Sequence, residues 1–372
     1  MESEKWNIIR TQGDQAADQY LQQILLGHPD QLEKAKNIFD GLTQNNDVFL
    51  KSSEFSDFLK ATSHLPDWID FKKIKIAQSI FQNYGSFILL LLGFKSLPMA
   101  YTCGKGAEVL VHTGRLVEKS GSIKPIIRRL METTQFVVSV LAENGFSDQG
   151  SAIIVSQKVR LMHSSIRYFI SLAGNWNPEL GIPINQQDMA GTLQSFSSLV
   201  VEGLNDLGVE LSQEEKDAYV HHWRVIGHII GVIPELNPDG YNNAHSLGME
   251  IFLDQRKESE AGKILTKSLI NFYNYMVPGN IFDETPILLL HELMGEENCK
   301  ILDVPELKHK FLEDLVFKLG VKIDQSFSSK YGFQKIAELF SKAMIIGMDH
   351  YYYDGKKAKF EIPPSLTTNW RI

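Results

Sequence analysis

Positions 158–169 read KVRLMHSSIRYF, with Arg160, His163 and Arg167 three and four residues apart. At about 100° of turn per residue, an α-helix brings these three side chains into one sector roughly 60° wide. Val159, Ile166 and Ile170 fall on the adjoining sector, so His163 sits at the border between an apolar wall and two cations. The same recurrence of apolar positions every three or four residues continues on both sides, and few segments alternate with period two. The chain therefore reads as all-α.

Working outward, helices are expected at about 70–94, 104–119, 123–144, 147–173, 187–207, 213–231, 243–258, 260–275, 303–319 and 330–347. Ser212 and Glu215 in LSQEEKDAYVHHW form a capping-box pattern, a reciprocal pair that satisfies two orphan amides at a helix start. Pro66 in HLPDWIDFKKIKIAQSIFQNYG suits the first turn of a helix. NWNPELGIPINQQD reads as an ordered loop, and KPII and NPDGYNN as turns. Residues 1–64, with AADQYLQQILLG and PDQLEKAKNIFDGL, read as a helical N-terminal extension capping a body at 65–372. No repeat or linker divides that body.

The 372 residues are 43% hydrophobic and 22% charged, ordinary globular composition. Lys and Arg total 37 against 45 Asp and Glu, a formal charge of −8, which leaves no broad positive field for nucleic acid. Two cysteines, Cys103 and Cys299, cannot build a disulfide framework or a cysteine-based zinc or iron–sulfur site. The start MESEKWNIIRTQGDQ lacks the basic segment and apolar run of a secretory signal, so the expectation is no export and a cytoplasmic location. FILLLLGF at 87–94 is far short of the roughly 20 residues that span a bilayer and reads as a core helix. Peripheral contact with a membrane surface stays compatible with this composition.

One ligand matches the border position of His163. Haem combines an apolar macrocycle, an iron that accepts an imidazole nitrogen, and two anionic propionates, so His163 would ligate iron while Arg160 and Arg167 reach the propionates. On spacing alone, a solvated basic stripe is the more frequent explanation. In IIRRLMETTQFVVSVL, Arg129, Glu132, Thr133 and Phe136 share a sector about 100° wide, a group able to polarise bound oxygen. Spacing alone favours a plain Arg129–Glu132 ion pair at i, i+3. DAYVHHWRVIGHIIGVI carries His221 and His228 on one face without the i, i+4 pairing of a zincin helix, so core or supporting roles are expected. HELMGEE has Gly295 where a zinc protease needs histidine, and YTCGKGAEV lacks the Gly-Lys-Ser/Thr of a phosphate loop.

Read in order, LPDWIDFKKIKIAQSIFQNYG, SLPMAYTCGKGAEVLVHTGRL, RRLMETTQFV, KVRLMHSSIR, GIPINQQDMAGTLQSFS and AYVHHWRVIGHIIGV resemble the catalytic domain of latex clearing proteins, the haem-dependent rubber oxygenases, and their MpaB-type relatives. The resemblance is colinear over roughly residues 65–235. It implies an all-α fold with a globin-like core, additional N- and C-terminal helices, and one b-type haem whose iron is held by His163. It also gives Arg129, Glu132 and Thr133 the distal, catalytic positions. Rubber-cleaving members can carry a lysine where this chain has Glu132, and the substitution points to an open distal side with a carboxylate able to act as a base. The implied partners are dioxygen, a small apolar substrate such as an isoprenoid or lipid, and an electron donor where the chemistry needs one. A haem-binding sensor or carrier without turnover, and a helical interaction protein that has lost haem, remain the alternatives.

Overall fold

The computed structural model describes residues 2–43, 53–118, 121–147, 150–276, 284–307, 330–350, 352–353, 356–357 and 370. Among the described residues the chain is all-α, apart from a short antiparallel pairing of Tyr352–Tyr353 with Lys356–Lys357 and an isolated antiparallel bridge between Cys103 and Arg256. The expected helices at 104–119, 123–144, 147–173, 213–231, 243–258 and 260–275 appear as Gly104–Thr113, Lys124–Val140, Ser151–Ala173, Gln213–Ile230, Tyr241–Gln255 and Glu260–Met276. The segment at 330–347 is helical as Lys330–His350. The capping box forms as read: the Ser212 amide donates to Glu215 Oε2 (2.8 Å) and the Glu215 amide to Ser212 Oγ (3.3 Å).

Several expectations change. The segment at 187–207 is two helices, Gln186–Phe196 and Ser198–Asp206, broken at Ser197, whose φ of −103° and ψ of −97° leave the helical region. Pro66 lies in a turn, its carbonyl accepting the Ile69 amide; the helix starts at Phe71, where Asp70 Oδ1 accepts the Lys72 amide (2.8 Å). Thr285–Met294 is a helix that periodicity did not reveal, because eight of its ten residues are buried and no polar face marks a period. Of the expected 303–319 helix, residues 303–307 are not helical and the remainder lies outside the described residues.

Phe71–Leu91 relaxes into a π-helix, Leu92–Ser96, and continues as Leu97–Thr102. By length and composition this stretch is apolar enough to cross a membrane, and its apolar window is 72% buried inside the fold. Such burial is the behaviour of a core helix, of which FILLLLGF is one part.

The chain forms two compact units woven from alternating segments. The first comprises Met1–Gln78, Phe136–Gln194 and Asp217–Asp254. Its N-terminal core takes Ala17, Leu21 and Leu25 from one helix and Ala35, Ile38 and Leu42 from the next, joined by Phe55, Phe58 and Leu161. The spacing of three and four puts each set on one face, and each large side chain so buried contributes about 1.5–3 kcal/mol. Leu161 belongs to Ser151–Ala173, which begins after Gly150 and ends at Gly174, whose φ of +69° suits the left-handed cap. Residues 10–13 are stitched to the loop before Gln186: the Ile182 amide donates to Arg10 O (3.0 Å) and the Gln186 amide to Gln12 O (2.8 Å). The buried Gln186 amide side chain then donates to Gly13 O and Gly231 O and accepts from the Ile233 amide.

The second unit comprises Ser79–Gln135, Ser195–Lys216 and Gln255–Ile372. Here Glu260–Met276 packs on Leu97–Thr102 and Gly104–Thr113. Phe94 of the π-helix stacks on Tyr273 with ring centroids 3.9 Å apart and meets Phe340 edge-on. Gly93 is required there, since a Cβ at this position would lie 2.7 Å from the Tyr273 hydroxyl. Lys95, buried at the same turn, donates to Asp206 Oδ2 (2.6 Å) and lies 2.8 Å from Glu202 Oε1.

Candidate functional site

In the first unit, Ser151–Ala173 carries Arg160, His163 and Arg167 on neighbouring turns. The two arginines do not stand open. Arg160 Nε and Nη2 donate to Asp14 Oδ2 (2.5 Å) and Oδ1 (2.8 Å), and Nη1 to Ile229 O (3.2 Å). Arg167 Nε donates to Asp18 Oδ1 (2.9 Å), its Nη2 lies 2.7 Å from the same oxygen, and Nη1 donates to Ile184 O (2.9 Å). Between them Ser164 Oγ donates to Asp18 Oδ1 (2.6 Å). Arg160, Ser164 and Arg167 thus form a strip that receives two carboxylates four residues apart, one of them the N-cap of Gln15–Leu26.

Two backbone positions are fitted around this strip. Gly231 closes Gln213–Ile230 with φ +94°, and a Cβ there would lie 2.3 Å from Asp14 Oδ2. Ile184, whose carbonyl receives Arg167, has φ +51°, a conformation unfavourable for a β-branched residue.

His163 is half-buried on the adjoining sector, next to buried Ile166 and Ile170. An imidazole on a well-anchored helix beside apolar side chains fits the donor that a haem iron takes. Arg160 and Arg167 each give donors to a carboxylate and a backbone carbonyl, and Arg167 Nη2, though near Asp18 Oδ1, is buried without a hydrogen-bond partner among the described residues. The histidines of Gln213–Ile230 pack within the same unit. His221 Nε2 accepts the Asp70 amide (2.9 Å), His228 lies edge-on to Trp68, and Arg224 covers the Trp68 ring at 3.9 Å. His222 is fully buried, and burial pushes its imidazole down to about 3.

In the second unit, Lys124–Val140 brings Arg129, Glu132 and Thr133 together. The expected i, i+3 ion pair is not the pairing found. Glu132 Oε1 accepts from Arg128 Nε (3.0 Å), four residues earlier, and Oε2 from Arg115 Nη2 (2.5 Å). Arg129 Nη1 donates to Thr133 Oγ1 (2.6 Å), which in turn donates to the Arg129 carbonyl (2.9 Å). Thr133 has therefore used its only proton, and both Glu132 oxygens are engaged. Arg129 keeps spare donors. Its burial, and then the Arg115 charge, hold its guanidinium below its ordinary value, while Glu132 and Tyr101 act in the opposite sense.

Asp14, Asp18, Ser164, Gln186, Arg115 and Arg128 escaped the reading of the sequence. The available signal was weak: Asp14 and Asp18 repeat at four residues, complementary to the strip on Ser151–Ala173, and Arg115 follows the left-handed Gly114 (φ +62°) that stops its helix.

Fold and side chains define an all-α protein that offers one imidazole on an anchored helix and an arginine-rich polar cluster on another. The chain belongs to the family described as ER-bound oxygenase mpaB/B'/Rubber oxygenase, catalytic domain, whose profile matches residues 82–302. It is 22% identical over 220 residues to the rubber oxygenase of Streptomyces sp. (strain K30), a match covering 58% of this chain and 52% of that protein. The chain thus spans about half the length of the relative it matches. A solved structure of latex clearing protein LCP in the closed state superposes with a TM-score of 0.71 at 16% identity, over 95% of this chain and 94% of that one. At that identity the likeness is one of fold.

Proposed function

We propose that this chain is a haem b-dependent, oxygenase-like enzyme that uses dioxygen on a small apolar substrate, lipid- or isoprenoid-like in character. Family membership supports the reaction class, and the observation that carries the cofactor is His163, half-buried on a helix whose flanking arginines are locked in place. His163 would hold the haem through an imidazole nitrogen. When bound, that group supplies the redox centre for dioxygen chemistry. Arg129 is the residue whose remaining N–H groups meet an oxygen-bearing ligand, and Thr133 orients it by accepting one of them. Glu132, clamped by Arg115 and Arg128, fixes the local charge and moves a proton only when one of those pairs opens. A cytoplasmic location belongs to the same proposal.

The test is oxygen consumption and product formation by haem-loaded protein with unsaturated apolar substrates, beside Arg129→Ala. Loss of turnover with haem content retained is expected. Unchanged oxygen reactivity and turnover in the variant would remove Arg129 from the reaction. Haem binding without any product would return the chain to a sensor or carrier.

A further inference from the structure

The stretch of helix that carries His163 is pinned at three points. Arg160 lies one turn before His163, Ser164 follows it directly and Arg167 lies one turn after. At about 100° per residue these three occupy a sector roughly 60° wide that begins about 40° from His163. All three donate to the start of one other helix, Gln15–Leu26: Arg160 to its N-cap Asp14, Ser164 and Arg167 to Asp18 in its first turn. A helix held on one side at i−3, i+1 and i+4 neither rolls nor slides without breaking one of these bonds.

Asp18 is the junction. Its Oδ1 accepts from Ser164 Oγ (2.6 Å) and from Arg167 Nε (2.9 Å), and its Oδ2 accepts from the same Nε (3.0 Å). Ser164 is wholly buried and Arg167 is 4% exposed, so neither donor exchanges its partner for water at low cost. The backbone leaves room for the junction at Gly13, where a Cβ would lie 2.5 Å from Asp18 Oδ2 and 3.1 Å from Arg167 Nε. Asp18 precedes residues 82–302, the region that matches the family, and membership assigns it nothing.

We propose that Asp18 is a positioning residue for His163: through Ser164 and Arg167 it sets the roll and height of the imidazole, and with them the direction in which the ring presents a nitrogen to iron. This rests on the reading of His163 as a haem ligand. A ligating side chain works within about 0.5 Å and 10–20° of its productive geometry. Hydrogen-bonded partners outside the ligand set typically account for about 10–100-fold in metal affinity. The N-terminal helix is thereby part of the His163 site.

Haem-free protein carrying 13C-labelled histidine gives a ring resonance for His163, assigned by its loss in His163→Gln. Asp18→Ala is expected to move that resonance, and Asp18→Asn, which keeps an acceptor for Ser164, to move it less. Leu25→Ala removes packing from the last turn of the same helix and serves as the control: it lowers the Tm and leaves the His163 resonance in place. With haem supplied, Asp18→Ala should weaken haem affinity by about tenfold or more and shift the iron's EPR signal, and Asp18→Asn should recover part of both. Should Asp18→Ala not fold, Ser164→Ala removes one of the two hydrogen bonds and carries the same expectation. A His163 resonance unmoved in Asp18→Ala and Ser164→Ala overturns the proposal. An equal movement in Leu25→Ala also overturns it, by reducing Asp18 to general stability. Wild-type protein that takes up no haem removes the cofactor reading alone, because the haem-free resonances decide whether Asp18 positions the imidazole.

Discussion

Arg160 and Asp14 meet as a bidentate pair across 146 residues of chain, with side chains 13% and 4% exposed. The contact ties the N-terminal segment to the helix that carries His163. Removing Asp14 strands a guanidinium out of water, which typically costs about 3–5 kcal/mol. Asp14→Ala should therefore lower stability by an amount in that range, measured by urea unfolding. Adding Arg160→Met to Asp14→Ala should recover part of the loss; a double variant as unstable as the sum of the singles would show that the pair is not coupled.

Gly231 should resist substitution for two reasons. Its φ of +94° disfavours any side chain, and an added Cβ would press on Asp14 Oδ2. Gly231→Ala is expected to destabilise by roughly 1–3 kcal/mol and to lower haem content with it. A Tm equal to wild type would contradict the packing described for the strip.

Acid should weaken the first unit through its histidines. Burial pushes His222 down to about 3, and burial with the Lys73 charge pushes His221 down as well. Both are neutral in the fold; His221 Nε2 accepts the Asp70 amide. Depressed imidazoles leave stability intact above the unfolded value near 6.5. Below it, the unfolded chain takes up protons first, and each such group removes about 1.4 kcal/mol per pH unit until its folded value is reached. Unfolding free energy should thus fall from pH 6.5 downward, and His222→Phe should flatten the slope. A slope unchanged by that substitution would place the acid sensitivity elsewhere.

Glu132→Lys, which installs the residue type that rubber-cleaving relatives can carry, should be costly in this chain. It would place a fourth cation beside Arg115, Arg128 and Arg129 and remove the carboxylate that pairs with two of them. A loss of roughly 2–3 kcal/mol is expected, eased by added salt. Wild-type stability in the variant would mean that the clamp does not hold the cluster.

How much of this the sequence disclosed follows from distance along the chain. Ser151–Ala173 and Gln213–Ile230 were legible because their periods, caps and terminal glycines are local. Thr285–Met294 was not, since a helix buried all round has no polar stripe to count. His163, Arg160 and Arg167 could be placed on one helix from spacing. Their partners could not: Asp14 and Asp18 lie far upstream, in a segment outside the family resemblance. Likewise the i, i+3 rule paired Glu132 with Arg129, whereas Arg115, supplied from beyond Gly114, and Arg128 at i, i+4 take both of its oxygens.

We propose that His163 holds a haem. The direct measurement is the absorption spectrum and haem content of the wild type and His163→Ala, each purified after expression with ample haem. A Soret band and imidazole-ligated iron are expected in the wild type, with loss of that ligation and reduced haem in the variant. Equal haem content and unchanged iron ligation in both proteins, or no Soret band in either, would contradict it.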